Sequence, residues 1–195
     1  ATAIVVGHDW GGPTAWSSAL NHPTVVSAVG SLSVPYSPRG EMPPLDMLKI
    51  IFQDKFFYQL YFQEPGVAEA EFEADVRTSL RKFYHMASGQ MDIGLMPEKP
   101  ADADLLSDLP DPEQMGPWMS DADLDFYVNE FSHNGFRGPL NYYRNLNLTW
   151  ELTEGAPTEI QQPALFVAGD RDGVIAMAAQ ALENMPKYVT DLRVN

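Results

Sequence analysis

At 195 residues the chain is long enough for one hydrophobic core, or for one core with an inserted lobe. It has no cysteine, which excludes a disulfide framework and thiolate metal sites, and no apolar stretch approaches the length of a membrane span. The formal charge of −15 argues against nucleic acid, because such a surface repels phosphates; 16 of the 27 acidic residues lie between Glu64 and Glu130, which reads as a solvated face rather than a cation site.

The N-terminus lacks the basic region of a secretory signal, so a cytoplasmic location is expected. Ala3, Ile4, Val5 and Val6 form a continuous apolar run, the pattern of a parallel-sheet strand buried on both faces. The run enters Gly7-His8-Asp9-Trp10-Gly11-Gly12. A strand that reverses sharply into a helix crowds its own backbone, so small residues are expected on both sides of the turn and the central side chain is pushed outward. This is a nucleophile elbow with aspartate at its tip. It would give Asp9 the positive end of a helix and aim the backbone N–H of Trp10 at a developing oxyanion. A plain helix N-cap is the alternative for Asp9, but a cap does not need glycines on both sides.

The elbow helix continues to His22, with Ala15, Trp16, Ala19 and Leu20 on one face, and Pro23 ends it. Val25 to Leu32 reads as a second buried strand, so strand, helix and strand make one βαβ unit of a parallel sheet. Pro35, Pro38, Gly40, Pro43 and Pro44 then mark a boundary. Beyond it come an aromatic-rich stretch, Leu48 to Gly66, and one long helix with Phe72, Val76, Leu80 and Phe83 as its apolar stripe. Met86 to Pro117 has no period and reads as a long loop. Ser120 and Asp123 form a capping box for a helix packed through Leu124, Tyr127, Val128 and Phe131. A shorter helix over Leu140 to Leu146 follows Gly138-Pro139. The sheet resumes at Ala164 to Ala168, followed by Gly169-Asp170-Arg171-Asp172-Gly173, a helix from Ala176 to Met185 and a strand from Asp191 to Val194. Three parts result: a sheet core over 1–34, a helical lobe over 35–160 and a second core part over 161–195.

The elbow resembles the nucleophile motif of α/β-hydrolase-fold epoxide hydrolases and haloalkane dehalogenases. Two further stretches, Tyr58-Gln59-Leu60-Tyr61-Phe62-Gln63-Glu64-Pro65-Gly66-Val67-Ala68-Glu69-Ala70-Glu71 and Gly135-Phe136-Arg137-Gly138-Pro139-Leu140-Asn141-Tyr142-Tyr143-Arg144-Asn145, are similar to lid segments of soluble epoxide hydrolases. The resemblance implies a partial α/β-hydrolase fold, a parallel sheet with an inserted helical cap, acting on a small apolar epoxide with water. It implies that Asp9 attacks an epoxide carbon to form an alkyl ester, that Tyr58 and Tyr143 donate to the ring oxygen, and that a His-Asp pair containing Asp172 activates water. Trp10 and Gln59 would line the oxyanion side of the pocket. Tyr142 and Tyr143 point about 100° apart on a helix, so at most one faces a site, and the family pattern selects Tyr143.

None of the four histidines, His8, His22, His85 and His133, follows the last strand, where the family's base belongs. The family's earlier strands and its His-Gly-x-Pro loop are likewise absent, so a partial chain with little or no turnover of its own is expected. A haloalkane dehalogenase of the same fold is the nearest rival, and a non-catalytic remnant is a third reading. Met47, Leu48, Phe52, Phe56, Met91, Met96 and Leu146 suit either an apolar pocket or a lid core. No cofactor, metal or membrane contact is indicated, and oligomeric state, a homodimer included, stays open.

Overall fold

The computed structural model describes residues 1–91 and 98–195. The expectations for Met96, and for the part of the long loop over 92–97, lie outside the described residues. The chain divides into two compact units, one of 1–41 with 152–195 and one of 42–151.

The first unit is a four-stranded parallel sheet in the order β1 (Ala3–His8), β2 (Val26–Leu32), β3 (Ala164–Val167) and β4 (Leu192–Val194). Helix α1 (Gly11–Asn21) crosses from β1 to β2, and the unit closes with α9 (Gly173–Met177), α10 (Ala179–Asn184) and a 3-10 turn over Met185–Lys187. The single helix expected over Ala176 to Met185 is therefore two short helices, which part at Ala178, where φ is −106° and ψ is 15°.

One face of the sheet carries the core: Val26, Val29, Ala164 and Phe166 pack with Ala15, Trp16 and Ala19 of α1 and with Tyr36, Ile160, Met185 and Val189. The Tyr36 hydroxyl donates to the Thr158 carbonyl at 2.8 Å, and burial pushes its pKa up to about 12. Gln162 Nε2 donates to the Ala19 carbonyl at 2.8 Å and fastens the approach to β3 onto α1. The other face differs from the sequence expectation of double burial. Ile4 is 70% exposed and Val6 63%, and Leu32 and Leu165 are exposed beside them along an open groove of about 390 Å³. Strand alternation sends Val5 toward α1 and sends Ile4 and Val6 the opposite way, where no described element packs on them. A run of consecutive apolar residues records the chemistry of both faces, and only tertiary packing decides which is covered.

The second unit is helical: α2 (Pro44–Phe52), α3 (Tyr58–Tyr61), α4 (Val67–Ala74), α5 (Val76–Ala87), α6 (Asp121–Asn134), α7 (Arg137–Arg144) and α8 (Leu146–Leu152). The one long helix expected through Phe72 and Phe83 is broken at Asp75, whose backbone turns extended and whose side chain accepts from the Thr78 N–H. Asp side chains compete with the helix ladder in this way, and the apolar stripe continues across the break because α4 and α5 face the same core. The helix expected over Leu140 to Leu146 runs instead over Arg137–Arg144 with Pro139 in its first turn, and α8 follows it. The capping box at Ser120 and Asp123 forms as predicted, with reciprocal bonds of 3.2 and 2.9 Å. Among the described residues no helix or strand lies between Ala87 and Asp121. That loop is tied down instead: Glu71 accepts from the N–H groups of Leu105 and Leu106, and Lys99 donates to the Leu105 carbonyl. Leu105, Leu106 and Leu109 are thereby buried with Phe62, Phe72, Phe136 and Leu140.

Candidate functional site

Asp9 stands at the C-terminal end of β1, directly before α1, where its φ is 50°. A left-handed backbone is uncommon for a residue with a side chain, and here the surroundings hold it: the Asp9 N–H donates to Leu32 of β2, and the Asp9 carbonyl accepts from Gly12. A Cβ on Gly7 would run into the backbone of Gly11, and one on Gly12 into Ser31 Oγ, so both must be glycine for the turn to close this tightly. Gly11 itself has open space where a Cβ would go, so the crowding predicted on both sides of Asp9 falls on Gly7 and Gly12 rather than on Gly11.

The carboxylate of Asp9 is exposed, and its Oδ1 accepts from the Trp10 backbone N–H at 2.7 Å. The helix N-cap is Trp10, without a side-chain cap bond, so Asp9 does not fill the N-cap position. The N–H expected to face an oxyanion holds one carboxylate oxygen of Asp9. Trp10 is half-buried.

Asp172 lies in the same unit, after β3. It is the N-cap of α9, with Oδ1 accepting from the Val174 N–H at 2.9 Å. That bond gives Asp172 a turn-forming role; a role as an orienting acid needs the second oxygen. Among the described residues no histidine is bonded to Asp172. His8 and His22 of this unit are both exposed.

Tyr58 and Tyr143 are in the helical unit and the fold brings them together. Their rings meet edge to face with centroids 5.6 Å apart, and each packs in the same manner on buried Phe62, at 5.7 and 5.0 Å. Gln59 Nε2 donates to the Tyr58 hydroxyl oxygen at 3.0 Å, which biases that phenol to use its proton as a donor. Tyr142 is 53% exposed while Tyr143 is half-buried against the core, as the helical angle requires. Of the apolar residues that suited a pocket or a core, Phe56 and Met91 pack on the helical unit's core, and Phe52 stacks on Phe57 at 4.0 Å. Met47 is 44% exposed.

Sequence reasoning missed Arg144 and Glu69. The guanidinium of Arg144 forks onto Glu69 at 2.6 and 2.8 Å, and its Nε donates to the Phe62 carbonyl at 2.9 Å. Hydrogen bonding from Arg144, together with the Gly66 N–H, pulls the Glu69 carboxyl down to about 2. Both residues lie within the two lid segments that carry the resemblance, where neither was given a role. Among the described residues no group of three His, Asp or Glu side chains could hold a metal ion, and no helix is long and apolar enough to cross a membrane.

Comparison with known proteins adds to this geometry. The family described as alpha/beta hydrolase fold matches residues 1–194. The chain is 39% identical over 176 residues to epoxide hydrolase A of Mycobacterium tuberculosis, covering 89% of this chain and 55% of that protein. It is 34% identical over 195 residues to the bifunctional epoxide hydrolase 2 of Rattus norvegicus, covering 98% of this chain and 34% of that one. Among solved structures, epoxide hydrolase A from Mycobacterium thermoresistibile superposes with a TM-score of 0.91 at 38% identity, over 99% of this chain and 61% of its own. An epoxide hydrolase from an endophytic Streptomyces gives 0.88 at 44% identity, over 98% and 59%. The chain thus spans from a third to just over half the length of these two curated relatives. With the match running over residues 1–194 and the parallel sheet in place, this protein belongs to the α/β-hydrolase-fold family.

Proposed function

We propose that this chain carries the ring-opening machinery of an epoxide hydrolase, with Asp9 as the nucleophile and Tyr58 and Tyr143 as the acids. The observation that carries the reading is the elbow: an exposed carboxylate at a strained left-handed position, one oxygen held by the Trp10 N–H and the other left for attack. The similarity to epoxide hydrolases in sequence and in fold supports the same chemistry.

In the reaction, the Asp9 oxygen not bound by Trp10 attacks an epoxide carbon. The carbon–oxygen bond of the ring breaks, its electron pair stays on oxygen, and a phenol of Tyr58 or Tyr143 delivers the proton. An ordinary phenol, with its pKa of about 10, is a strong enough donor for an alkoxide and stays neutral at working pH. The product is an alkyl ester on Asp9. Its carbonyl oxygen is the one the Trp10 N–H already faces, so the same donor stabilises the oxyanion when water adds to the ester carbon. Departure of the diol then regenerates the carboxylate. The water needs a base; Asp172 is proposed to orient a histidine for that step. Because no histidine of this chain is bonded to Asp172 among the described residues, the chain forms the ester faster than it hydrolyses it.

Intact-mass spectrometry after incubation with a small aryl epoxide tests the reading. The expected result is a gain of one epoxide mass, absent in Asp9→Asn. No adduct and no diol would overturn the nucleophile assignment, whereas rapid catalytic diol release would overturn slow ester hydrolysis alone. Halide release from a haloalkane in place of epoxide reaction would transfer the chain to the dehalogenase chemistry of the same fold.

A further inference from the structure

The two tyrosines come from helices far apart in sequence, and nothing in either helix alone fixes their separation. Beside the ring packing on Phe62, polar side chains join the two segments. Arg144, the residue after Tyr143, reaches back to the α3–α4 segment: its Nε donates to the Phe62 carbonyl, one Nη to the Glu64 carbonyl at 3.4 Å, and the fork closes on Glu69. Glu69 in turn accepts from the Gly66 N–H at 2.9 Å, at the start of α4. From the opposite direction, Gln63 Nε2 donates both to the Gln59 carbonyl at 2.6 Å and to the Tyr143 carbonyl at 3.1 Å. The Tyr143 carbonyl and the Arg144 side chain are thus tied to the chain on both sides of Phe62, the ring on which both phenols pack.

We propose that Arg144, with Glu69, is a positioning residue whose planar fork sets Tyr143 against Tyr58 so that the two phenols make one two-donor site for a single oxygen. The catalytic meaning of that site rests on the epoxide-opening reading; the clamp itself does not.

Two physical points favour positioning over mere stability. The side chains of Arg144 and Glu69 are only 13% and 12% exposed, and a desolvated ion pair contributes little net stability relative to apolar packing while it fixes geometry closely. A cation placed only to satisfy the end of α7 would bond its own helix, and Arg144 does so weakly, at 3.3 Å to Asn141, while its best bonds go to the other segment. A lysine would keep the charge and lose the fork, which separates the two roles.

The experiment uses the whole 195-residue chain labelled with 3-fluorotyrosine, whose eight tyrosines give ¹⁹F signals assigned through Tyr58→Phe and Tyr143→Phe. Arg144→Lys is expected to shift and broaden the Tyr58 and Tyr143 resonances while Tyr36 and Tyr188 of the sheet unit stay in place. Should that variant unfold, the double variant Arg144→Leu with Glu69→Leu, which leaves no unpaired charge, is expected to fold and to show the same two shifts. Unmoved Tyr58 and Tyr143 signals in a folded variant would overturn the proposal. So would loss of folding in both, since the pair would then be a stability element. In parallel, Arg144→Lys is expected to slow single-turnover ester formation at Asp9 by roughly tenfold to a hundredfold, with the half-saturating epoxide concentration unchanged. If the parent chain forms no ester, the epoxide reading fails, and the ¹⁹F shifts alone decide the clamp.

Discussion

At Gly7 the elbow leaves no room for a single methyl group. A Cβ there meets the backbone carbonyl of Gly11, which cannot move without opening the turn that holds Asp9 at positive φ. Gly7→Ala is therefore expected to cost about 1–3 kcal/mol or more in urea unfolding. Gly11→Ala, with open space around it, is expected to stay within about 0.5 kcal/mol of the parent. Equal losses at the two positions would show that contact between Gly7 and Gly11 does not set the elbow. The pattern of small residues around Asp9 was legible in sequence, and which of them bears the crowding was not, because spacing along a chain does not reveal which backbone atoms approach. Helical angle allowed at most one of Tyr142 and Tyr143 to face a site, and the family pattern selected Tyr143; in the structure Tyr142 is exposed and Tyr143 half-buried.

Helices α4 and α5 read as one element in sequence because their apolar residues keep a helical period, and the structure divides them at Asp75. The carboxylate accepts from both the N–H and the hydroxyl of Thr78, at 3.1 and 2.8 Å, so it caps α5 and ends α4 at once. Asp75→Ala should destabilise the chain by about 1 kcal/mol. Hydrogen bonds from the backbone and hydroxyl of Thr78 hold the Asp75 carboxyl below its ordinary value of 3.8. A carboxyl lowered in the folded state contributes stability above its unfolded pKa and loses it as pH falls through the folded one. The gap between Asp75→Ala and the parent in thermal melts is accordingly expected at neutral pH and should close below about pH 3.8. A gap that persists at low pH would assign the effect to helix propensity and not to the cap.

The molecule contains two cores, each with its own ring of buried aromatics. Phe166, 1% exposed, anchors the sheet unit beside Trp16 and Tyr36, and Phe72 anchors the helical unit, stacked on Phe136 at 4.8 Å. Truncating either to alanine should cost about 3–5 kcal/mol, a large share of a typical domain's stability. Hydrogen exchange read by mass spectrometry should place the loss in β2 and β3 for Phe166→Ala and in α4, α5 and α7 for Phe72→Ala. Loss spread evenly over both units by either variant would contradict separate cores. The sequence by itself determined the parallel strands, the aspartate elbow, the Ser120–Asp123 cap and the helical texture of the middle, because each is written in local periodicity or in residues a few positions apart. Only the tertiary structure decided that, among the described residues, Ile4 and Val6 lie uncovered on one sheet face, that Tyr58 and Tyr143 share Phe62, and that Arg144 closes on Glu69. Those outcomes depend on segments distant in the chain meeting in space, and local pattern carries no record of such meetings.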